Sequence, residues 1–399
     1  MHLTVRSLAL AAALIAAPAV ANAGPAYIVI DTEAGTVLAD RDADRLWQPA
    51  SVTKLMTAYL AFDALKSGKL TPTSPVKIST NALNQAPSKM GFRVGTILNV
   101  DNALKMMLVK SANDIAVAVA ETVGGSESAF VALMNREAQR LGMNSTHFDN
   151  PNGLPDDSHL TTARDLAVLA RAIWVDFPEQ RSLFTIPAII AGKRVLRSQN
   201  ALLERYRGAN GMKTGFVCAS GYNMVASATR FGRTLMVVVV GATSSKERAE
   251  TAATLLNQGF GNWFTASRPA LASFETSPAG APAANMHDIV CGKHVKPEDE
   301  DEDPLLGGAE ATSALEPRFE VMAPVPVYTG RADGYTGSTD PAVAVAIPDA
   351  KPTSKPVKKT VTKAGATAGT VAAATPVAAA TAAPAAAKLK VPVPKPRPQ

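Results

Sequence analysis

Short β-prone runs at both ends of one region, with helical patterns between them, limit most strongly how this chain can fold. Ala26 to Ile30 and Thr36 to Ala39 flank a turn at Gly35, which predicts an N-terminal hairpin. Three more β-prone runs come late in the chain: Gly211 to Cys218, Tyr222 to Ala228 and Thr234 to Val240. Strands that are separated in this way pair most simply in one antiparallel sheet, with the helical residues inserted between them.

Helical periodicity dominates the middle of the region, and one further helix follows the last strand. The predicted helices are Ser51 to about Lys66, Asp101 to Val109, Asp114 to Val123, Ser126 to Leu141, Thr162 to Trp174 and Ser245 to about Gln258. Thr162 with Asp165 resembles a capping box. We expect one α+β domain at residues 24–266, in which the last helix covers one face of the sheet.

The first 23 residues have the pattern of a cleaved secretory signal. Arg6 precedes an apolar run from Leu8 to Val20, and Ala21-Asn22-Ala23 is a small-residue ending. We therefore expect an exported protein of the periplasm or cell envelope that is soluble or peripherally bound to the membrane.

Residues 267–399 are rich in Ala, Pro, Thr and Lys, and are interrupted by an acidic run from Glu298 to Asp303. Such a composition predicts a low-complexity, mostly disordered tail, because it buries too little apolar surface to offset the entropy of ordering. Residues 351–399 carry nine basic groups and no acidic one, so removing them changes the net charge from +6 to −3. The basic character belongs to this tail, and we expect no nucleic-acid partner.

Cys218 and Cys291 are the two cysteines of the chain. Exported proteins meet an oxidising compartment, where these cysteines have each other as intramolecular partner. Closing that loop would contribute roughly 4–5 kcal/mol on the chain-entropy model. Two alternatives stay open. The cysteines can be two unbonded hydrophobic side chains, or Cys291 can form a metal site with His287 and His294.

The chain contains the spacing Ser-x-x-Lys twice, at Ser51/Lys54 and at Ser74/Lys77. A chain of this length contains on the order of one such match by chance. On a helix, residues three apart share one face, so the Lys54 amine can reach the Ser51 hydroxyl. Pro75 makes the second match extended, which turns Ser74 and Lys77 away from each other. Ser51 and Lys54 are therefore the candidate nucleophile and base.

A lysine with the ordinary pKa of about 10.4 is a poor base at neutral pH, so burial or neighbouring cations must lower that pKa. Two further stretches supply polar groups. Ser111-Ala112-Asn113 lies in a break between two helices, and Lys213-Thr214-Gly215 lies on a strand, where Gly215 lets a ligand backbone approach closely. Taken alone, each stretch also fits an ordinary helix cap or strand end.

Together and in this order, the three motifs resemble those of the penicillin-interactive serine enzymes. More specifically, residues 26–264 are similar to the low-molecular-mass D-alanyl-D-alanine carboxypeptidases, including "DNPNGLPDDSHLTTARDLAVLAR" and "GMKTGFVCASGYNMVASATR". The resemblance implies the serine β-lactamase/DD-peptidase-like fold, with a five-stranded antiparallel sheet. It also implies that penicillin-type β-lactams inhibit the protein covalently, that peptidoglycan pentapeptide stems are its substrates, and that it needs no cofactor or metal.

The resemblance assigns a role to each motif residue. Ser51 becomes the acyl-enzyme, Lys54 takes its proton, and Ser111 passes a proton to the leaving D-alanine. Asn113 holds the substrate amide, while Lys213 keeps the site cationic. The other expected groups are Thr214 and Arg248 on the terminal carboxylate, with the backbone amides of Ser51 and Phe216 as the oxyanion hole.

Other functions stay open on the same residues. The scaffold also suits a DD-endopeptidase or a β-lactamase, although Asp156 and Asp157 stand in the loop where a β-lactamase often has a glutamate. A serine–histidine hydrolase using His147 or His159 lacks the Gly-x-Ser-x-Gly elbow. A non-catalytic envelope-binding protein is the remaining alternative.

The tail has two interpretations. The second β-rich domain and the amphipathic anchoring helix of many relatives are not recognisable after Phe264. The basic tail is instead a candidate for contact with an anionic envelope polymer or membrane surface, or a solvated spacer.

Overall fold

The structure, a computed structural model, describes residues 24–261, 269–274, 282–293, 313–337 and 339–342. The expected signal segment and residues 343–399 of the expected tail lie outside the described residues.

The five antiparallel strands of the central sheet are β1 (Ala26–Asp31), β2 (Thr36–Arg41), β7 (Ala209–Val217), β8 (Gly221–Arg230) and β9 (Arg233–Ala242). Their spatial order is β2-β1-β9-β8-β7. The middle strand β9 is buried from Thr234 to its end, which explains its nearly unbroken apolar sequence. The predicted five-stranded antiparallel sheet is confirmed.

The N-terminal hairpin joins the late strands through β1, which pairs with β9 so that Ile28 lies opposite Val238. The two ends of the region therefore meet in one sheet, and the residues between β2 and β7 form the inserted helical part. Strand β7 is at the edge of the sheet and pairs on one side with β8.

The predicted helices are all present, with small shifts at their ends. The helices are α1 (Lys54–Lys66), α2 (Thr80–Leu83), α3 (Val100–Val109), α4 (Asn113–Gly124), α5 (Glu127–Leu141), α6 (Ala163–Asp176), α7 (Leu202–Arg205), α8 (Ser245–Gly261) and α9 (His287–Val290). The Thr162 hydroxyl caps α6 by accepting a hydrogen bond from the Asp165 amide at 3.0 Å, as the capping pattern predicts. Within the described chain, no single helix has the length and hydropathy of a membrane span, and α4 with α5 reaches them only as a pair bent by 82°.

Helices cover both faces of the sheet. On one face, Ala252 and Leu256 of α8 pack in a cluster with Val237 and Val239. On the other face, Val238 and Val240 join the larger core that contains α1 and α6. Successive residues of a strand point to opposite faces, so β9 contributes to both clusters. Ten of the 13 residues of α1 are buried, which makes it the central helix of the molecule.

The described residues also form two small sheets. Strands β3 (Pro75–Lys77) and β4 (Ile97–Asn99) form an antiparallel pair beside the helices. Strands β5 (Ala188–Ala191), β6 (Arg194–Arg197) and β10 (Val325–Pro326) form a three-stranded sheet in the order β10-β5-β6.

Several segments after residue 266 lie among the described residues and pack against the domain, while the mostly disordered tail at residues 267–399 stays a prediction. Strand β10 pairs with β5, and Leu315 and Val327 are buried against the body of the protein. The Tyr328 amide donates to Asn102 Oδ1 at 2.9 Å. Single apolar residues and backbone hydrogen bonds hold these segments on the surface of the folded domain. Their sequences therefore lack the hydrophobic periodicity of a helix or strand.

Candidate active site

Ser51 lies in a 3₁₀ turn, Ala50–Thr53, that leads directly into α1. The residue before it, Ala50, is buried and has a φ of 52°. A left-handed conformation costs an L-residue roughly 1–2 kcal/mol, so the surrounding contacts hold this backbone against its preference. Because Ala50 leads into the turn, this backbone fixes where the Ser51 amide and hydroxyl point.

Lys54 begins α1 and is fully buried beneath Ser51. Its Nζ donates to Ser51 Oγ at 2.8 Å, to Asn113 Oδ1 at 2.7 Å and to the Asn152 carbonyl at 2.7 Å. The two amide oxygens accept N–H donors from the amine whether it is charged or neutral. When the amine is neutral, the third direction presents its lone pair to the Ser51 hydroxyl, which can then donate its proton.

Ser111 and Asn113 lie at the break between α3 and α4, and both are buried. Ser111 has a φ of 64°, so like Ala50 it is a non-glycine residue in the left-handed conformation. The Asn113 amide group bridges two elements, because its Oδ1 accepts from Lys54 and its Nδ2 donates to the Ala86 carbonyl at 2.9 Å. The structure therefore shows Asn113 holding Lys54, a role that the sequence did not predict.

The loop that receives Asn113 is itself fixed by Asp114. The buried Asp114 carboxylate accepts hydrogen bonds from the Met90 and Gly91 amides at 3.0 and 2.8 Å. Burial raises the pKa of this carboxyl, and the backbone hydrogen bonds partly offset the increase. These contacts hold the loop that binds Asn113, which in turn orients Lys54.

The Lys-Thr-Gly motif lies on the edge strand β7, alongside Ser51. Lys213 and Thr214 are both buried, and Lys213 Nζ donates to the Thr214 carbonyl at 2.8 Å. A Cβ on Gly215 would lie 2.8 Å from the Ser51 nitrogen and 3.0 Å from the Val52 nitrogen. From the sequence, we expect Gly215 to admit a ligand backbone. The structure shows that it admits the backbone of the chain's own nucleophile turn.

Phe216 and Arg248 both lie against the ring of Tyr222. The Phe216 ring packs against Tyr222, with centroids 4.4 Å apart, and the Arg248 guanidinium lies over the same Tyr222 ring at 5.7 Å. Arg248 is 3% exposed and donates to the carbonyls of Asn223 and Gln199 at 3.4 and 3.2 Å. Arg248 thus supports the strand behind the site, and its predicted contact with a substrate carboxylate stays a prediction.

The segment Asn150 to Gly153 is a part of the site that the sequence analysis did not assign. It reaches Lys54 through the Asn152 carbonyl, and the Thr57 hydroxyl donates to the Pro151 carbonyl at 2.6 Å. Gly153 has a φ of 86°, and a Cβ there would lie 1.8 Å from the Ala50 carbonyl oxygen. The Asn-Gly turn signal could have marked the turn, but a carbonyl acceptor leaves no trace in the side-chain sequence.

Asn223 on β8 was also missed. Its Nδ2 donates to the carbonyls of Gln48 and Pro49 at 3.1 and 3.3 Å, and to Ser220 Oγ at 3.0 Å. Its Oδ1 accepts from the Gly241 amide at 3.1 Å. Asn223 therefore fastens the segment before Ser51 to the sheet.

His159 is structural, as the sequence analysis favoured over a hydrolase role. Its Nδ1 accepts from the Asp149 amide at 3.1 Å, so Nε2 carries the proton and donates to Thr53 Oγ1 at 2.8 Å. Burial lowers the pKa of His159 to about 4, so the ring is neutral at pH 7. His147 is exposed and lies 3.4 Å from an Asp149 oxygen.

Cys218 and Cys291 form a disulfide between the end of β7 and the chain after α9, with Cα atoms 5.6 Å apart. Cys291 is therefore not a thiolate ligand, and the alternative metal site loses this member. The third member, His294, lies outside the described residues.

The second Ser-x-x-Lys match has none of this environment. Ser74 precedes the short strand β3, where Val76 is buried and Lys77 is exposed. Ser74 Oγ accepts from the Thr71 amide at 2.9 Å, which closes a surface turn. The extended conformation that Pro75 predicts is confirmed.

The arrangement is typical of the serine–lysine acyl-transfer enzymes, in which a lysine amine activates a serine beside the edge of a sheet. The sequence model of the family described as D-alanyl-D-alanine carboxypeptidase matches residues 13–244. The chain therefore belongs to the D-alanyl-D-alanine carboxypeptidase family.

Individual relatives show the same similarity. The D-alanyl-D-alanine carboxypeptidase DacC of Escherichia coli is 35% identical over 242 residues, covering 59% of this chain and 60% of that protein. The DacF carboxypeptidase of Bacillus subtilis is 32% identical over 251 residues, covering 61% and 64%. The chain thus spans about three fifths of the length of these curated relatives.

Solved structures share the fold. Penicillin binding protein 5 from Haemophilus influenzae aligns with a TM-score of 0.57 and 34% identity, over 59% of this chain and 70% of that one. Penicillin-binding protein D2 from Listeria monocytogenes, in its ampicillin-bound form, aligns with a TM-score of 0.52 and 30% identity, over 59% and 96%. The serine DD-peptidase type of fold is therefore confirmed.

Proposed function

We propose that this chain is a serine-type D-alanyl-D-alanine carboxypeptidase that removes the terminal D-alanine from peptidoglycan stem peptides. The observation that carries the proposal is the Lys54 amine, which is buried and held between Ser51 Oγ, Asn113 Oδ1 and the Asn152 carbonyl. This geometry gives the serine a base that cannot turn away from it.

In the proposed acylation step, Ser51 Oγ attacks the carbonyl carbon between the two D-alanines. Its proton passes to Lys54 Nζ, and the carbonyl π bond opens to an oxyanion. General-base assistance of this kind contributes typically about 10²–10⁴-fold to the rate. Until the proton is transferred, the two amide acceptors keep the lone pair of the neutral amine directed at Ser51.

Backbone amides of Ser51 and Phe216 are the proposed oxyanion donors. Gly215 supports this assignment because its missing side chain lets β7 lie directly against the Ser51 amide. Donors fixed in place before the reaction stabilise the developing charge without reorganisation. Any non-proline side chain is compatible with this role of residue 216.

The leaving D-alanine needs a proton on its nitrogen, and its carboxylate needs a binding site on the protein. Ser111 is the proposed relay to the leaving nitrogen, and Lys213 with Thr214 is the proposed carboxylate site. Asn113 has capacity for substrate as well as for Lys54, since an amide side chain offers two N–H donors and two acceptor lone pairs. Arg248 supports this wall from behind through Tyr222 and Asn223.

Deacylation requires a water molecule and a base. A β-lactamase on the same scaffold would activate that water with a carboxylate, and Asp156 is poorly suited because hydrogen bonds from Ser158 lower its pKa. A carboxylate with a lowered pKa is a weaker base, so Asp156 is a weak candidate for the water-activating carboxylate of a β-lactamase.

The proposed partners follow from the same chemistry. Peptidoglycan pentapeptide stems are the substrates, and β-lactams are covalent inhibitors at Ser51, as the ampicillin-bound relative suggests. We further propose export to the periplasm or cell envelope, through cleavage of residues 1–23. For the basic tail we propose contact with an anionic envelope polymer or membrane surface.

The test measures D-alanine released from a peptide ending in D-Ala-D-Ala, together with labelling by a fluorescent penicillin. Wild-type protein should release D-alanine and become labelled, and Ser51→Ala should do neither. Ser74→Ala should match the wild type. Equal labelling of Ser51→Ala, or no label on the wild type, would exclude the proposed function; cross-link cleavage without D-alanine release would indicate an endopeptidase.

A further inference from the structure

The segment 282–293, here called the brace segment, returns to the active site after the chain has passed α8. Its last turn is α9, and Cys291 joins it covalently to Cys218, one residue after β7. Val290 and Ala284 are buried. The segment is therefore packed in place by both apolar contact and the disulfide.

The brace segment contacts both chain stretches that lead to the proposed oxyanion donors. The Ala284 amide donates to the Leu46 carbonyl at 2.9 Å, five residues before Ser51. The Met286 amide donates to the Ala219 carbonyl at 2.9 Å, in the turn that follows β7 and Phe216. One short segment thus ties together the approach to one donor and the exit from the other.

A further set of hydrogen bonds links these two stretches to each other. Ser220, which follows Ala219, accepts from Asn223, and Asn223 also donates to Gln48 and Pro49. Movement of the turn after β7 is therefore transmitted to the segment that precedes Ser51. Ala50 holds a left-handed φ there, so loss of support would let this backbone relax.

We propose that the brace segment, fastened by the Cys218–Cys291 disulfide, positions the backbone donors of Ser51 and Phe216 for acylation. The inference rests on the proposed function and adds a positioning role for two cysteines that touch neither substrate nor reacting atoms. A positioned donor that moves by about 1 Å can cost on the order of 100-fold in rate, so partial loosening has a measurable effect.

The experiment compares full-length wild type with the double variant Cys218→Ser/Cys291→Ser. The acylation rate is measured by stopped flow over a range of penicillin concentrations, which separates initial binding from the limiting acylation rate. We expect the limiting rate of the double variant to fall about 10-fold, while initial binding changes little, since the loss of a positioned donor acts in the transition state.

Reversible reduction provides a test on protein that has already folded. Both cysteines are half-buried, so dithiothreitol can reach the disulfide and reduce it to two thiols. The dithiothreitol is itself oxidised to its cyclic disulfide. Wild type should slow under reduction and recover after reoxidation. The double variant should not respond to the reagent.

Leu315→Ala is the matched control for simple loss of stability. Leu315 is buried in the cluster with α8, on the other face of the sheet. This variant should unfold at a lower temperature and keep the wild-type limiting acylation rate. An unreactive wild type would refute the proposed function itself. If the wild type reacts but its limiting acylation rate is unchanged by loss of the disulfide, the proposed role of the brace segment is wrong. It is also wrong if Leu315→Ala slows acylation equally.

Discussion

The same four-residue spacing occurs in two regions with opposite results. Ser51 and Lys54 lie on a 3₁₀ turn that enters a buried helix, and their side chains are 2.8 Å apart. Ser74 and Lys77 lie around a surface strand, where the serine closes a turn and the lysine is exposed. A catalytic Ser-x-x-Lys pair therefore needs helical geometry and buried acceptors in addition to its spacing.

The largest effect should come from Lys54→Arg. A guanidinium stays protonated at any working pH, so it cannot take the Ser51 proton. We expect D-alanine release to fall about 10²–10⁴-fold, which is the usual contribution of general-base catalysis. Lys77→Arg, the corresponding change in the other region, should leave the rate unchanged; an undiminished rate in Lys54→Arg would show that Lys54 is not the base.

Two glycines allow crowding to be separated from backbone strain. Gly153 has a φ of 86° and Gly95, near Lys77, has a φ of 87°, but a Cβ meets Ala50 at 1.8 Å in the first case and nothing within 4 Å in the second. Gly95→Ala should cost about 1–2 kcal/mol of unfolding free energy with no change in activity.

Gly153→Ala should cost more stability than Gly95→Ala and also displace the Ser51 turn. We expect about 100-fold slower penicillin labelling of the protein that remains folded. Urea unfolding measures the first effect and labelling kinetics the second. Equal behaviour of the two alanine variants would mean that the Gly153 contact does not position Ser51.

The burial of His159, next to the Ser51 turn, should also make the stability of the protein depend on pH. The pKa of His159 is lowered by burial to about 4, so the unfolded chain binds this proton more readily than the folded one. The contribution of neutral His159 to the free energy of unfolding is fully present above the unfolded pKa of about 6.5. It is lost as the pH falls towards 4, and the total loss is on the order of 3 kcal/mol.

Urea unfolding at pH 7 and pH 4.5 measures this loss in the wild type and in His159→Gln. The variant should lose less stability between the two pH values. Buried Asp114 and Asp165, whose pKa values are raised, act in the opposite direction but are common to both proteins. An identical pH dependence would contradict the neutral, buried state of His159.

Thr57→Val should have a smaller effect than Gly153→Ala. This change removes the hydrogen bond to the Pro151 carbonyl and leaves a buried acceptor unpaired, which costs about 1–3 kcal/mol. Ser74→Ala, at the surface turn, should change the unfolding free energy by no more than about 0.5 kcal/mol. Calorimetry of the two variants gives both values; a neutral Thr57→Val would show that this contact is unimportant.

Much of the fold could be predicted because its signals are local. Apolar runs marked the strands, 3.6-residue periodicity marked the helices, and Pro75 correctly separated the two Ser-x-x-Lys matches. The order of motifs along the chain then suggested one site, and contacts from Lys54 to Asn113 and from Gly215 to Ser51 bring those segments together.

The rest depends on partners that are distant in sequence. The Asn152 carbonyl binds Lys54 through a backbone atom that every residue possesses, so no side-chain pattern identifies it. Strand β10 forms because it can pair with the edge of β5. The residues around Val325 show no alternating hydrophobic pattern that would predict a strand. The role of Asn113 as an anchor for Lys54 likewise appears only when the loop at Ala86 is in place.

We propose that Ser51, and not another serine with the same spacing, is the residue that becomes acylated. The most direct measurement is peptide mapping by mass spectrometry after a brief reaction with penicillin. We predict a single penicilloyl adduct on the peptide that contains Ser51 and none on the peptide that contains Ser74. An adduct on Ser74 or Ser111, or an unmodified Ser51 in labelled protein, would contradict the account.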